Sequence, residues 1–268
     1  MRLAAVADIH LKAADHEKNL RAFSAVNELA DVLVIAGDFT DHGLPDEMRG
    51  VLSVLEHVHV PIIGVLGNHD HESDHQDELA GMLRVAGVKV LDGHCFEVGG
   101  VGFAGTKGFA GGFSPYELMP FGEGGIKNFV EIAEREAIKL DFGLEQLRTA
   151  TKIAITHYAP IKETVVGEPE PIFPFLGSSR LQRALDKHKP LLALHGHAHH
   201  GSFSGETKSG VRVHNVALQI LRAKGEEHPF AIFDLAAGSE MAPLHAPAQM
   251  AAKAARPERT EMNAATRS

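Results

Sequence analysis

The sequence predicts an α/β fold, and three observations carry that expectation. Short apolar runs alternate along the chain with longer amphipathic stretches. The runs are continuous in Val, Ile, Leu and Ala instead of alternating with polar residues, and most of them close on Gly, Asp, Asn or His. Continuous apolar strands joined through helices describe a sheet covered on both faces by βαβ crossovers. At 268 residues the chain is long enough to bury a sizeable core.

The elements follow in order. Residues 2–7 are the first apolar run. Residues 17–30 read as a helix, with Leu20, Phe23 and Asn27 roughly one turn apart and Ala30 closing it. The run DVLVIA at 31–36 is rich in β-branched residues and reads as a strand. A helix over 45–57 begins with Pro in its first turn, where a missing N–H costs nothing. PIIGVL at 61–66 is a third strand, and 74–86 is a helix that Gly87 would cap. Residues 93–105 differ: the short runs CFEVGG and VGFAG, broken by glycine pairs, read as a hairpin or sheet extension. Residues 106–125 are Gly-rich, carry Phe109, Phe113, Tyr116 and Phe121, and read as a long lid or binding loop. A helix follows, because Phe129, Ala133, Ala137, Leu140, Leu144 and Leu147 recur at four- and three-residue spacing. KIAIT at 152–156 is a strand, 158–178 a second long loop and 179–188 a helix; 191–194, 211–216 and 230–235 are further strands. Beyond 235 the chain is rich in Ala, Pro and polar residues, so 1–235 is expected to form the folded domain and 236–268 a flexible tail.

Composition bounds the function. A net charge of -9 disfavours long nucleic acid as a partner, because phosphate contacts need clustered Lys and Arg. One cysteine, Cys95, excludes an intrachain disulfide and a thiolate zinc cluster. The opening MRLAAVADIHLK has too short an apolar run for a signal peptide, and no run approaches the roughly 18–20 apolar residues of a membrane span. No membrane partner and a cytoplasmic location are therefore the expectations. Against this ordinary background the 18 histidines stand out, several of them in clusters with Asp, Asn and Gly.

Five such clusters each follow an apolar run. Asp8 and His10 follow LAAVA, Asp38 follows DVLVIA and Gly37, and Asn68, His69 and Asp70 follow PIIGVL and Gly67. His157 follows KIAIT, and His197 and His199 follow LLAL and Gly196. Ligand crevices in α/β sheets lie at the carboxyl ends of strands, so these side chains are expected at one edge of one sheet. Imidazole nitrogen together with carboxylate oxygen suits zinc, iron, manganese or nickel. Asp-x-His and His-x-His each place two side chains on one side of an extended chain, where the pair can grip a metal. A carboxylate can bridge two metals, and two metals about 3.5–4 Å apart can activate a water and clamp both oxygens of an in-line phosphoryl displacement. The glycines before Asp38, Asn68 and His197 permit sharp turns and close backbone approach. Any of these residues alone reads as a cap or turn residue; the ordered set carries the chemistry.

In order, D-x-H, G-D, G-N-H-D, H and G-H-x-H resemble the calcineurin-like metallophosphoesterase superfamily over residues 8–199. By general look the nearest branch is the bacterial class III cyclic-nucleotide phosphodiesterases. The resemblance implies a two-sheet αββα sandwich. It implies that Asp8, His10 and His199 hold one divalent metal ion, that Asn68, His157 and His197 hold a second, and that Asp38 bridges them, with manganese or iron favoured over zinc or nickel. It further implies that His69 contacts the phosphate or protonates the leaving oxygen, that Asp70 orients the His69 ring, and that a metal-bridging hydroxide is the nucleophile. The expected substrate is a small phosphate ester, chiefly a phosphodiester, with cyclic nucleotides among the candidates. A nuclease, a phosphomonoesterase or a phosphoprotein phosphatase would use the same site; a nuclease would lose rate steeply with salt. A non-catalytic scaffold on this fold would be expected to lack a ligand or His69, and here each is present.

The remaining candidates have blander alternatives. His71, His75, His195 and His200 flank the clusters and read as supporting or solvated residues, while His16, His42, His57, His59 and His94 read as surface or core. Thr106 and Lys107 could contact a phosphate or belong to a solvated loop. Phe109, Phe113 and Tyr116 could stack a base, but the reading preferred is packing of the loop onto the core. The G-x-G-x-x-G run at 100–105 is not read as a dinucleotide site, because a loop follows it instead of a helix.

Overall fold

In the computed structural model, which describes residues 1–11 and 21–235, the apolar runs pair into two sheets and not one. The first holds β1 (Arg2–Val6), β2 (Val32–Ala36), β3 (Ile62–Val65), β4 (Lys89–Val90) and β11 (Ala231–Asp234), in the order β11-β1-β2-β3-β4. The second holds β5 (His94–Val98), β6 (Val101–Thr106), β7 (Thr151–Thr156), β8 (Leu192–His195), β9 (Ser204–Glu206) and β10 (Arg212–Asn215), in the order β5-β6-β7-β8-β10-β9. Strands β1 to β4 are parallel, as are β6, β7, β8 and β10; β11, β5 and β9 add antiparallel edges.

Side-chain alternation in the second sheet explains the layering. Phe103, Ile153, Ile155, Leu192 and Leu194 face the first sheet and join its core with Leu3, Val6 and Ile35. Their strand neighbours Ala104, Ala154 and Ala193 face the other way, where Leu140, Leu144, Leu181 and Leu185 pack on them. Large residues thus fill the space between sheets, and alanines let helices approach closely. Those helices are α4 (Gly124–Gln146) and α6 (Ser179–His188). On the first sheet, α1 (Val26–Leu29), α2 (Pro45–Leu55) and α3 (Gln76–Val85) bury Val26, Met48, Val51, Leu79 and Leu83. Short helices α5 (Phe173–Leu176) and α7 (Leu218–Ala223) complete the set. The result is the αββα sandwich expected from the resemblance.

Several boundaries differ from the sequence reading. Residues 17–20 of the predicted first helix, and the whole predicted tail at 236–268, lie outside the described residues. Asn27 is not a core position: its Nδ2 donates to the His57 carbonyl at 2.8 Å and its Oδ1 accepts from the His59 N–H at 2.7 Å. Helix α4 begins at Gly124, inside the segment read as loop. The G-x-G-x-x-G run lies in the β5–β6 hairpin, with Cys95 opposite Ala104. Among the described residues no helix is long and apolar enough to cross a membrane.

Candidate metal centre

The five polar clusters converge, but from two sheets. Asp8, Asp38 and Asn68 follow the carboxyl ends of β1, β2 and β3; His157, His197 and His199 follow those of β7 and β8. Main-chain bonds join the ends. Asp8 N–H donates to the Gly37 carbonyl at 3.0 Å, Gly196 N–H to the His157 carbonyl at 3.1 Å, and Ala7 N–H to the Val216 carbonyl at 2.8 Å. The turns are tight enough to need unusual backbone. Asp8 (φ 55°), His10 (φ 37°), Asp38 (φ 54°) and His197 (φ 69°) are four of the six non-glycine residues with positive φ among those described. Such conformations cost about 1–3 kcal/mol each and persist where surrounding structure enforces them.

Potential ligand atoms of Asp8, His10 and His199 lie within 4.8 Å of one another, and so do those of Asp38, His157 and His197. Asn68 Oδ1 sits 2.8 Å from His157 Nε2. Asp38 lies between the groups: its Oδ2 is 3.3 Å from His157 Nε2 and 3.8 Å from His10 Nε2. That oxygen is buried and, beyond its ionic contact with His157, has no well-formed hydrogen bond, while Oδ1 accepts the His69 N–H at 2.9 Å. A buried carboxylate oxygen without a well-formed hydrogen bond is costly unless a cation meets it.

The ring orientations point the same way. A carbonyl can only accept, so a ring nitrogen bonded to one carries the hydrogen and its partner nitrogen, in the neutral ring, offers a lone pair. His157 Nδ1 donates to Ala36 O at 3.0 Å and His10 Nδ1 to Thr40 O at 3.1 Å, which leaves Nε2 of each facing the centre. His197 is reversed: Nε2 donates to Phe175 O at 3.2 Å, leaving Nδ1 as its donor atom. Carboxylate, amide oxygen and imidazole lone pairs therefore converge on one place, and this donor set suits a divalent metal.

The electrostatics agree. Burial alone would raise the Asp38 carboxyl, but the His157 imidazole beside it overrides this and holds it below the ordinary carboxylate range. Burial would lower His157, yet Asp38 lifts it to about 9. Burial, helped by His157, pushes His197 down to about 3, and burial lowers His10. His199 is raised by its 3.0 Å hydrogen bond to Asp8 Oδ1.

Close backbone approach is confirmed at Gly67. A Cβ there would lie 2.0 Å from Asp38 Oδ1 and 2.5 Å from Asp38 N. Because one obstacle is backbone, the β2 and β3 ends must part. Gly67→Ala is expected to lower stability by about 1–3 kcal/mol and to weaken metal affinity at the same time. Thermal melting with a metal titration checks this; an unchanged melt and affinity would refute the close-approach role.

The structure corrects one expected role. Asp70 does not orient the His69 ring. His69 Nδ1 instead donates to the main-chain carbonyl of Asp41 at 2.6 Å. Asp70 is fully buried and accepts from Thr40 Oγ1 (2.7 Å), Gly67 N (2.9 Å), Thr40 N (3.0 Å) and Phe39 N (3.3 Å), tying the loops after β2 and β3 together. Burial, with Asp38 nearby, pushes its carboxyl up to about 6 despite these donors. Of the two readings open for Thr106, phosphate contact or solvated loop, the structure takes neither: the residue ends β6, is buried and donates to Glu136. Lys107 turns its ammonium onto the Phe109 and Tyr158 rings, at 4.9 and 5.2 Å, and donates to Gly108 O. Phe113 is buried and Tyr116 is exposed, so only the former packs on the core. His195 is a buried support, with Nε2 2.8 Å from Thr164 Oγ1.

The family model for calcineurin-like phosphoesterases matches residues 1–201, from β1 to just beyond His199. The chain belongs to this family. No curated protein matches it at the level of sequence. Among solved structures, phosphopantetheinyl hydrolase of Mycobacterium tuberculosis superposes with a TM-score of 0.59 at 17% identity, covering 85% of this chain and 94% of that one. The protein TT1561 of Thermus thermophilus gives 0.57 at 18% identity, covering 91% and 99%. A purple acid phosphatase from yellow lupin gives 0.53 at 13% identity, covering 81% of this chain and 43% of that one. These likenesses establish the calcineurin-like phosphoesterase fold, and the family together with the His/Asp clusters points to a divalent metal centre in a phosphoric ester hydrolase.

Proposed function

We propose that the protein is a dinuclear metal-dependent phosphodiesterase acting on small phosphodiesters, a class that includes cyclic nucleotides. The observation that carries this reading is the buried Asp38 Oδ2, without a well-formed hydrogen bond, standing between two groups of ligands. Asp8, His10 and His199 would hold one ion, Asn68, His157 and His197 the other, and Asp38 both. Manganese or iron is the favoured occupant of this mixed imidazole and carboxylate set. Two bound ions supply an activated water and neutralise charge on the phosphoryl oxygens. The chain supplies orientation and a proton. Carbonyls of Thr40, Ala36 and Phe175 fix three ligand rings, and that of Asp41 fixes His69, one-third exposed at the mouth. Its Nε2 can reach a departing ester oxygen.

Charge supports a diester over a monoester. The nearby Lys107 is engaged with Phe109, Tyr158 and Gly108. Its ammonium is therefore not held ready for the second negative charge of a monoester. With manganese added, kcat/KM for bis(p-nitrophenyl) phosphate is expected to exceed that for p-nitrophenyl phosphate at least tenfold. The reverse preference would replace the diester reading with a phosphomonoesterase.

Metal uptake is expected to release protons. His157 sits near 9 without metal, so at pH 7 it is protonated, and its Nε2 must lose that proton to bind an ion. His10 and His197 are lowered and have none to lose. Affinity should therefore rise about tenfold per pH unit from 7 towards 9 and level off above, with at least one proton released per chain at pH 7. Calorimetry in buffers of different ionisation enthalpy measures this. Proton-independent binding would remove His157 from the ligand set.

A further inference from the structure

The two long loops carry an apolar surface that the hydrolysis itself does not use. Among the described residues thirteen large apolar side chains are exposed, and eight of them fall in residues 116–126 and 166–175. Tyr116, Phe121, Met119 and Phe175 are 87%, 86%, 62% and 60% exposed. Single exposed apolar residues are ordinary, but a concentration on one rim marks a binding surface.

This rim is built onto the metal centre. The loops are bonded to each other: Gly111 N–H donates to Pro174 O at 2.8 Å and Gly112 N–H to Gly177 O at 2.9 Å, while Leu118 N–H folds the first loop back onto Gly111 O at 2.8 Å. Beneath them Phe113, Val165 and Leu176 form a small core with Ala159 and Ala198. Ala198 lies between His197 and His199, and the Phe175 carbonyl accepts the His197 ring N–H. The apolar side chains are therefore carried by loops anchored to residues that would hold the metal ions. Phe175, 60% exposed, is the member of this apolar set that is tied directly to a candidate ligand.

We propose that the rim is a subsite for an apolar alkyl or acyl chain on the phosphodiester that the centre cleaves. This rests on the phosphodiesterase reading and narrows its substrate class to amphiphilic diesters. A methylene moved from water onto an apolar surface contributes up to about fourfold in binding. A partly covered six-carbon chain is thus expected to contribute at least tenfold.

The test compares p-nitrophenyl methyl phosphate with p-nitrophenyl hexyl phosphate on the manganese-loaded protein. Calorimetric binding of methylphosphonate and hexylphosphonate runs beside it. The hexyl ester should show at least tenfold higher kcat/KM, chiefly through KM, and hexylphosphonate should bind more tightly by a similar factor. The double variant Met119→Ser/Phe121→Ser changes two exposed side chains and should flatten both dependences. Equal kcat/KM and equal binding for the two chain lengths overturn the subsite, as does a chain-length dependence that survives the double variant. Tighter hexylphosphonate binding without turnover of either ester upholds the subsite and defeats the phosphodiesterase reading instead.

Discussion

Asp38→Ala is expected to lose metal and activity together, with turnover falling at least about a thousandfold. The reason is geometric. Asp38 faces both ligand groups, with Oδ2 3.3 Å from His157 Nε2 and 3.8 Å from His10 Nε2. Removing it leaves three ligands on each side and no shared anion to offset the repulsion between two adjacent cations. The fold should survive, because Asp38 Oδ1 makes one hydrogen bond, to the His69 N–H, and Oδ2 one ionic contact, to a His157 ring that becomes neutral when the carboxylate is removed. Metal analysis of the folded variant decides the matter. Two tightly bound ions remaining would sink the bridging assignment.

His69→Ala is expected to separate chemistry from metal binding. The Asp41 carbonyl holds the His69 ring by Nδ1, and the ring stands edge-on to His10 at 4.6 Å; His69 can also group with His10 and Asp38, but the two proposed ion sites are complete without it. Metal content should stay near that of the unaltered protein while kcat falls about 10²–10⁴-fold on esters with basic leaving groups. Nitrophenolate leaves without a proton, so nitrophenyl esters should lose far less. Equal loss on alkyl and nitrophenyl diesters would argue against proton donation and for a purely phosphate-positioning role.

Much of the fold and most of the site were legible in the sequence, for identifiable reasons. A parallel strand covered on both faces must be continuously apolar, and its polar functional residues must wait until it ends; DVLVIA followed by Gly37-Asp38 shows both at once. The two-sheet sandwich came from the resemblance, but which run belongs to which sheet was not legible in the runs themselves. LAAVA and KIAIT look alike, yet β1 pairs with β2 and β11 while β7 pairs with β6 and β8, and pairing is a long-range property. Strand β4, with two residues, and β9, with three, are too short to set up a period.

The misassigned role of Asp70 has a local cause. His69 and Asp70 are neighbours in sequence, but the tight turn His69–His71 sends adjacent side chains to different sides. His69 faces the mouth and Asp70 is fully buried. The groups that do orient the rings are the carbonyls of Ala36, Thr40, Asp41 and Phe175. Every residue has a carbonyl, so no side-chain pattern could reveal them. The loop residues Thr106 and Lys107 were ambiguous because a Gly-rich segment has no periodicity to show which way a side chain turns.

The most direct test is metal content of the purified protein, measured together with hydrolysis of bis(p-nitrophenyl) phosphate before chelation, after chelation and after manganese is restored. Two ions per chain, with activity lost on chelation and recovered with manganese, is the expected result. No bound metal and no rescue by manganese would contradict a dinuclear phosphodiesterase built on Asp8, His10, Asp38, Asn68, His157, His197 and His199.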